Sequence, residues 1–317
     1  MDILEKEKRL DALEEKLAQL EDDSAIQDLR IEIEDYKRQT MQNLTAWDRV
    51  LLARHKRRPT ARDVIDNVFN TFVELHGDRL YADDKAVIGG IAEIEHQVVT
   101  VIGEQKGRNT EENIERNFGM PHPEGYRKAR RLMRQAAKFK RPIVTLIDTP
   151  GAFPGIGAES RGQSHAIAEN LYEMSNLGVP IISLVIGEGG SGGALAIGVA
   201  NQLYMLENSI FSILSPEGYA SILWKDASLA EQAAEVMKLT SYDLREFDLL
   251  EGILEEPAGG FQRDPKPVYR DIRTTLVQSL AHLSQKSPFE IKTGRYAKYR
   301  NMGFFQRFNY ENLKGMV

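Results

Sequence analysis

None of the 317 residues is cysteine. That excludes disulfides and any metal held by thiolates of this chain. Long apolar runs are missing too, so no segment reads as a membrane span. The chain opens Met1-Asp2-Ile3-Leu4-Glu5-Lys6, charged where a secretory signal is apolar. The expectation is a soluble, cytoplasmic protein with no membrane partner. Nor is there an excess of positive charge. A net charge of −6 argues against wholesale nucleic-acid binding. The six histidines, His55, His76, His96, His122, His165 and His282, form no H-x-x-x-H pair, and no metal site is expected in this chain. Finally, no Gly-Lys pair is followed by Ser or Thr. Asp148-Thr149-Pro150-Gly151 looks like the D-x-x-G switch of GTPases, but without a phosphate-cradling loop it is not a nucleotide switch.

What remains is an ordinary core-forming composition, 42% hydrophobic and 28% charged. Residues 1–45 read as an N-terminal helical hairpin, with residues 46–317 as the main domain. Leu10, Leu13, Leu17 and Leu20 recur at helical spacing. Ile26, Leu29, Ile33 and Tyr36 follow Asp22-Asp23-Ser24, a helix-start signal. Arg49, Arg54, His55, Lys56, Arg57, Arg58 and Arg62 make a basic stretch, read either as a solvated face or as an anion dock. Pro59-Thr60-Ala61-Arg62-Asp63 opens a helix expected to run to about Leu75. Strands are expected at 87–94 and 97–103 around a Glu95-His96 turn, then a polar excursion at 109–123. A basic helix at 124–140, a strand at 142–148, a Gly/Pro loop at 149–157 and a helix at 159–177 follow. Further strands are expected at 202–206 and 209–214, helices after Ser215 and at 227–237 and 265–283, and a basic, aromatic tail. Strands alternating with helices predict an α/β fold with a largely parallel sheet.

One stretch organises the rest. Pro180 to Ile186 is a β-branched run of strand length. It feeds Gly187-Glu188-Gly189-Gly190-Ser191-Gly192-Gly193, and a small-residue helix follows. Four readings are open. The loop fits G-x-G-x-x-G, a dinucleotide fingerprint, with Glu207 as the ribose acid. It fits G-x-S-x-G, a nucleophile elbow, which makes a serine hydrolase or peptidase using Ser191 the alternative function. The glycines could serve close packing alone. Or the N–H groups of Gly192, Gly193 and Ala194 form an oxyanion hole at a helix start, which needs no side chain.

Several motifs in order then resemble one family. They are Gly187 to Ala196, Asp148 to Gly155, Asn117-Phe118-Gly119-Met120-Pro121, Pro123 to Ala129, Ser215-Pro216-Glu217-Gly218, Tyr81 to Ala86 and Gly103 to Arg108. Together they are similar to the alpha subunits of bacterial acetyl-coenzyme A carboxylase carboxyltransferase. The resemblance implies a crotonase-type (ClpP/crotonase) α/β fold, a spiral of ββα units with an N-terminal helical extension. It implies a beta-subunit partner in an α2β2 assembly, with a zinc ribbon on beta. It also implies a biotin carboxyl carrier protein, with biotin carboxylase in the wider complex. The implied reaction moves a carboxyl group from carboxybiotin to acetyl-coenzyme A, giving malonyl-coenzyme A for fatty acid synthesis.

In that chemistry carboxybiotin releases CO2, the biotin anion takes a methyl proton of acetyl-coenzyme A, and the thioester enolate attacks CO2. Negative charge develops on a carbonyl oxygen at each step, which preorganised backbone donors stabilise. By resemblance Gly192 and Gly193 form the hole in this subunit, with biotin as the favoured ligand. Gly107 would offer a second N–H beside them in a crotonase fold. Ala194, Gly151, Phe153, Gly155 and Arg161 would line the substrate, Arg161 either facing a carboxylate or standing at a helix start. Arg127, Lys128, Arg130 and Arg131 would meet coenzyme A phosphates or form a solvated face.

Overall fold

The computed structural model describes residues 3–41 and 43–303. The end of the expected tail, with the end of the 46–317 domain, lies outside the described residues. Two helices, Ile3–Ala18 and Asp23–Met41, pack through Leu10, Leu29 and Ile33, with Leu13, Leu17, Leu20 and Tyr36 around them. Asp22 starts the second helix, its Oδ2 accepting the Ala25 N–H at 2.9 Å.

The main body is a mixed sheet: β1 (Thr71–Glu74), β2 (Val87–Ile94), β3 (Gln97–Glu104), β4 (Ile143–Thr149), β5 (Ile181–Gly190), β6 (Gln202–Leu206), β7 (Ile210–Ser212) and β8 (Gly252–Leu254). The order is β1-β2-β3-β4-β5-β6-β8, with β7 pairing the far end of β5. β1, β2 and β3 are antiparallel, and every later pairing is parallel. Glu95 and His96 join β2 to β3 with φ of 44° and 63°, the double left-handed conformation of a two-residue hairpin turn.

The central strands are buried on both faces, and period two sorts their side chains. Val144 and Leu146 of β4, with Ile182, Leu184 and Ile186 of β5, pack toward helices Ala61–Val68 and Pro265–Leu283. Ile143, Ile147, Ile181 and Val185 face helices Pro123–Lys138 and Gln163–Asn176 instead. This two-sided burial explains apolar runs without alternation. Mid-strand Thr145 and Ser183 satisfy each other, Oγ to Oγ at 2.6 Å.

Two elements differ from expectation. The helix after Thr60 ends at Val68, and Phe72 and Val73 belong to edge strand β1, paired to β2. The expected 159–177 helix is two, Ile156–Ser160 and Gln163–Asn176, broken at Gly162 with φ of 83°.

Candidate active site

β5 continues through Gly190, so four residues of the expected glycine loop are strand. Each glycine there lets a neighbour approach. A Cβ at Gly187 would strike the Asp148 carboxylate, one at Gly189 the Phe211 ring, and one at Gly190 the Pro150 carbonyl. These three glycines serve close packing. The turn proper is Gly190-Ser191, with Ser191 at φ 51°. Helix Ser191–Leu195 begins at once, and its N-cap, Gly190, has no side chain to cap it. The first N–H groups of a helix lack intrahelical partners. Gly192 and Gly193 fall within that first turn, and no described carbonyl outside the helices and strands accepts from either N–H.

This turn meets the loop that follows β4. A Cβ at Gly193 would lie 2.8 Å from the Ala152 nitrogen and 2.8 Å from the Gly151 carbonyl carbon. At Gly192 the same atom would find only Ile167, 3.7 Å away. Gly193 and Ala194 are buried. Gly192 lines a groove of about 510 Å³ with Leu195, Phe211, Tyr219, Val236 and Phe247. Lys238 is the one charged residue of the lining. The volume suits a small-molecule site, and the apolar walls strengthen any hydrogen bond made inside it.

The structure brings Gly151, Gly192, Gly193 and Ala194 together and uses the other candidates elsewhere. The Gly107 N–H donates to Asn113 Oδ1 at 2.9 Å, so it is held within its own loop and is not a free second donor. Phe153 stacks on His122, ring centroids 4.1 Å apart, and a Cβ at Gly155 would strike the Phe153 ring. Arg161 binds Glu124 at 2.6 Å and lies over the Tyr81 ring. Its charge therefore faces a carboxylate of this chain. Arg127 pairs with Asp78 and Glu124, Lys128 with Asp83, and Arg130 with Glu169, while Arg131 donates to the Gly77 and His76 carbonyls. These four are internal braces, neither a phosphate site nor a solvated face.

The basic stretch has the same fate. Arg49 donates to Asn208 Oδ1, Arg54 pairs with Glu188 and Glu217, and Arg58 with buried Glu256. His55 pairs with Glu7 of the first helix. Ser191 Oγ makes no hydrogen bond to any described residue, so the hydrolase alternative has no base.

Sequence reasoning missed the charged cluster under the turn. Lys106 Nζ lies 2.8 Å from Asp148 Oδ1 and 2.8 Å from Glu188 Oε2. Arg54 Nε reaches Glu188 at 2.7 Å, and its other end reaches Glu217 at 2.6 Å. Burial pushes the Glu188 carboxyl up, but Lys106 and Arg54 outweigh it and hold it at about 2. The available signal was a lysine and acids at strand ends inside glycine-rich motifs, where charges are buried only if paired.

Comparison with known proteins gives this geometry a family. A family profile described as "Acetyl co-enzyme A carboxylase carboxyltransferase-like" matches residues 1–303. The acetyl-coenzyme A carboxylase carboxyl transferase subunit alpha of Clostridium perfringens (strain ATCC 13124) is 55% identical over 265 residues, covering 84% of this chain and 98% of that one. The chain belongs to this carboxyltransferase family, as an alpha subunit. A fused beta/alpha protein of Natranaerobius thermophilus is 57% identical over 268 residues, 84% of this chain and 44% of the fusion. The fold is shared with the crystal structure of transcarboxylase 12S bearing methylmalonyl-coenzyme A and methylmalonic acid. Its TM-score is 0.59 at 18% identity, over 78% of this chain and under half, 44%, of that chain.

Proposed function

We propose that the turn at Gly192 and Gly193 is this subunit's half of a two-subunit carboxyltransferase site. The alpha subunit acts in making malonyl-coenzyme A. Its partner is a beta subunit in an α2β2 assembly, an association supported by the fused beta/alpha relative. The proposed substrates are acetyl-coenzyme A and carboxybiotin on a biotin carboxyl carrier protein, recharged by biotin carboxylase in the cytoplasm.

The observation that carries the reading is a helix whose first turn is Ser191-Gly192-Gly193, opening at the edge of an apolar groove. Charge developing on the ureido oxygen of biotin, as CO2 departs, meets donors already aimed and fixed. Losing one such donor costs about 3–4 kcal/mol. No side-chain acid or base is required of this chain, because the biotin anion itself takes the proton.

The test is Gly193→Ala in the complex with beta, since its Cβ must displace the Gly151-Ala152 backbone. We expect kcat for malonyl-coenzyme A formation to fall about 100-fold. Binding to beta should persist. Gly192→Ala, whose Cβ meets only Ile167 at ordinary contact distance, is the milder control. Ser191→Ala should stay active. Full activity in Gly193→Ala would remove the turn from the chemistry, and an inactive Ser191→Ala would show that carboxyl transfer needs the Ser191 side chain.

A further inference from the structure

The pairing of β4 with β5 changes register where the site begins. Ile147 faces Val185, yet Thr149 faces Gly189, so an advance of two residues on β4 matches four on β5. The backbone ladder is interrupted at Asp148 on one strand and across Ile186, Gly187 and Glu188 on the other. Side chains take over there. Asp148 Oδ1 accepts the Glu188 N–H at 2.9 Å, and Gly187 has no Cβ to obstruct the approach. Lys106, two residues past the end of β3, then bridges both acids at 2.8 Å each.

We infer that Lys106 is a positioning residue for the backbone donors. Its ammonium replaces the broken ladder and sets the register in which the turn at Gly193 meets the loop at Gly151. The inference rests on the assignment of Gly192 and Gly193 as oxygen-binding donors. Asp148 stands three residues before Gly151, and Glu188 stands five before Gly193. Both segments leave the clamp without another charged tie to each other among the described residues. A sliding step of either strand end therefore moves one turn against the other. The clamp has a second arm. Glu188 is shared with Arg54, and Arg54 holds Glu217 in the first turn of helix Pro216–Trp224. Tyr219 of that helix lines the groove. One chain of ion pairs, buried at Glu188 and open to solvent at Glu217, thus links the donor turn to the wall facing it.

Lys106→Met keeps the length of the side chain and removes the charge. It leaves Asp148 uncompensated, so the double variant K106M/D148N is made beside it. An amide at 148 still offers Oδ1 to the Glu188 N–H. Each is assayed as the complex with beta, forming malonyl-coenzyme A. Both variants should lose kcat about 100-fold, the scale expected when reacting groups are misplaced by an ångström. KM for acetyl-coenzyme A and affinity for beta should stay unchanged. A role in folding alone predicts otherwise: a double variant with wild-type thermal midpoint would turn over normally. That result, or a loss appearing in KM with kcat intact, would overturn the inference. An inactive wild-type complex in the parallel assay would instead bring down the catalytic reading, and this inference with it.

Discussion

Glu104, at the end of β3, is fully buried, and neither of its carboxyl oxygens has a hydrogen-bond partner among the described residues. The Tyr126 hydroxyl is buried and unpartnered too. Burial pushes the Glu104 carboxyl well above its ordinary 4.5, and the Asp148 charge pushes it further. The folded chain therefore keeps a proton that the unfolded chain releases near pH 4.5. Stability from this residue falls as pH rises above that value, by about 1.4 kcal/mol for each pH step of one until the folded carboxyl also ionises. Glu188 runs the opposite way. Its depressed carboxyl stabilises the fold at every pH above 4.5 and loses that contribution as pH falls toward about 2. Glu104→Gln should thus melt above the wild type at pH 8, by roughly 2 °C or more. The gap should narrow toward pH 5. Calorimetry at the two pH values decides it, and a variant melting lower at pH 8 refutes the neutral-acid account.

At the scale of elements, the sequence was most readable where one local rule sufficed. The β2–β3 hairpin followed from two apolar runs and a two-residue gap. Helix starts at Ser215 and Asp22 followed from side chains that accept nearby N–H groups, and at Thr60 the Asp63 carboxylate accepts the Thr60 N–H and hydroxyl. The fold class followed from the alternation of strands and helices. The glycine turn was legible in place but not in extent, because a glycine in a strand and one in a loop look alike until the neighbour is known. β1 was hidden because Phe72 and Val73 also continue the helical pattern of Val64, Ile65 and Val68. The basic residues were misread for a related reason. Sequence shows a charge, while its partner lies far along the chain, as Glu188 lies from Arg54. Arg295 is the clearest case. It is 1% exposed and donates to the carbonyls of Met174, Leu177 and Val179 and to Asn201 Oδ1. Burial pulls its pKa down to about 10. It closes the end of helix Gln163–Asn176, whose last carbonyls have no partner in the helix. Arg295→Met strands three buried carbonyls, while Asn201 Oδ1 keeps the Ile181 N–H, and should cost about 3 kcal/mol or more in urea unfolding. A loss below about 1 kcal/mol would mean that water replaces the guanidinium.

For the molecule as a whole, the N-terminal hairpin is tied down by charge. Arg263 reaches Asp11 at 2.7 Å, Glu14 at 2.9 Å and the Glu7 carbonyl at 3.1 Å. His55 pairs with Glu7, Arg57 with Asp11, and the Ile3 N–H donates to Asp48. None of these residues lines the groove, so docking and catalysis should separate. Arg263→Ala should speed amide exchange across the two N-terminal helices about 10-fold, with kcat of the complex unchanged. Uniform exchange over the whole chain would show instead that the hairpin and the sheet open as one unit.

The sheet order has a further consequence. From β1 to β6 each strand lies beside the one made just before it, and β7 and β8 also return to strands already in place. A nascent chain leaving the ribosome never has to wait for a distant segment before pairing its newest strand. Parallel sheets are slow to form when their neighbours are far apart in sequence. Here assembly can proceed vectorially, edge by edge. The Gly192-Gly193 turn follows the strand that receives the most partners, so it is set in order only as synthesis passes β6 and β7.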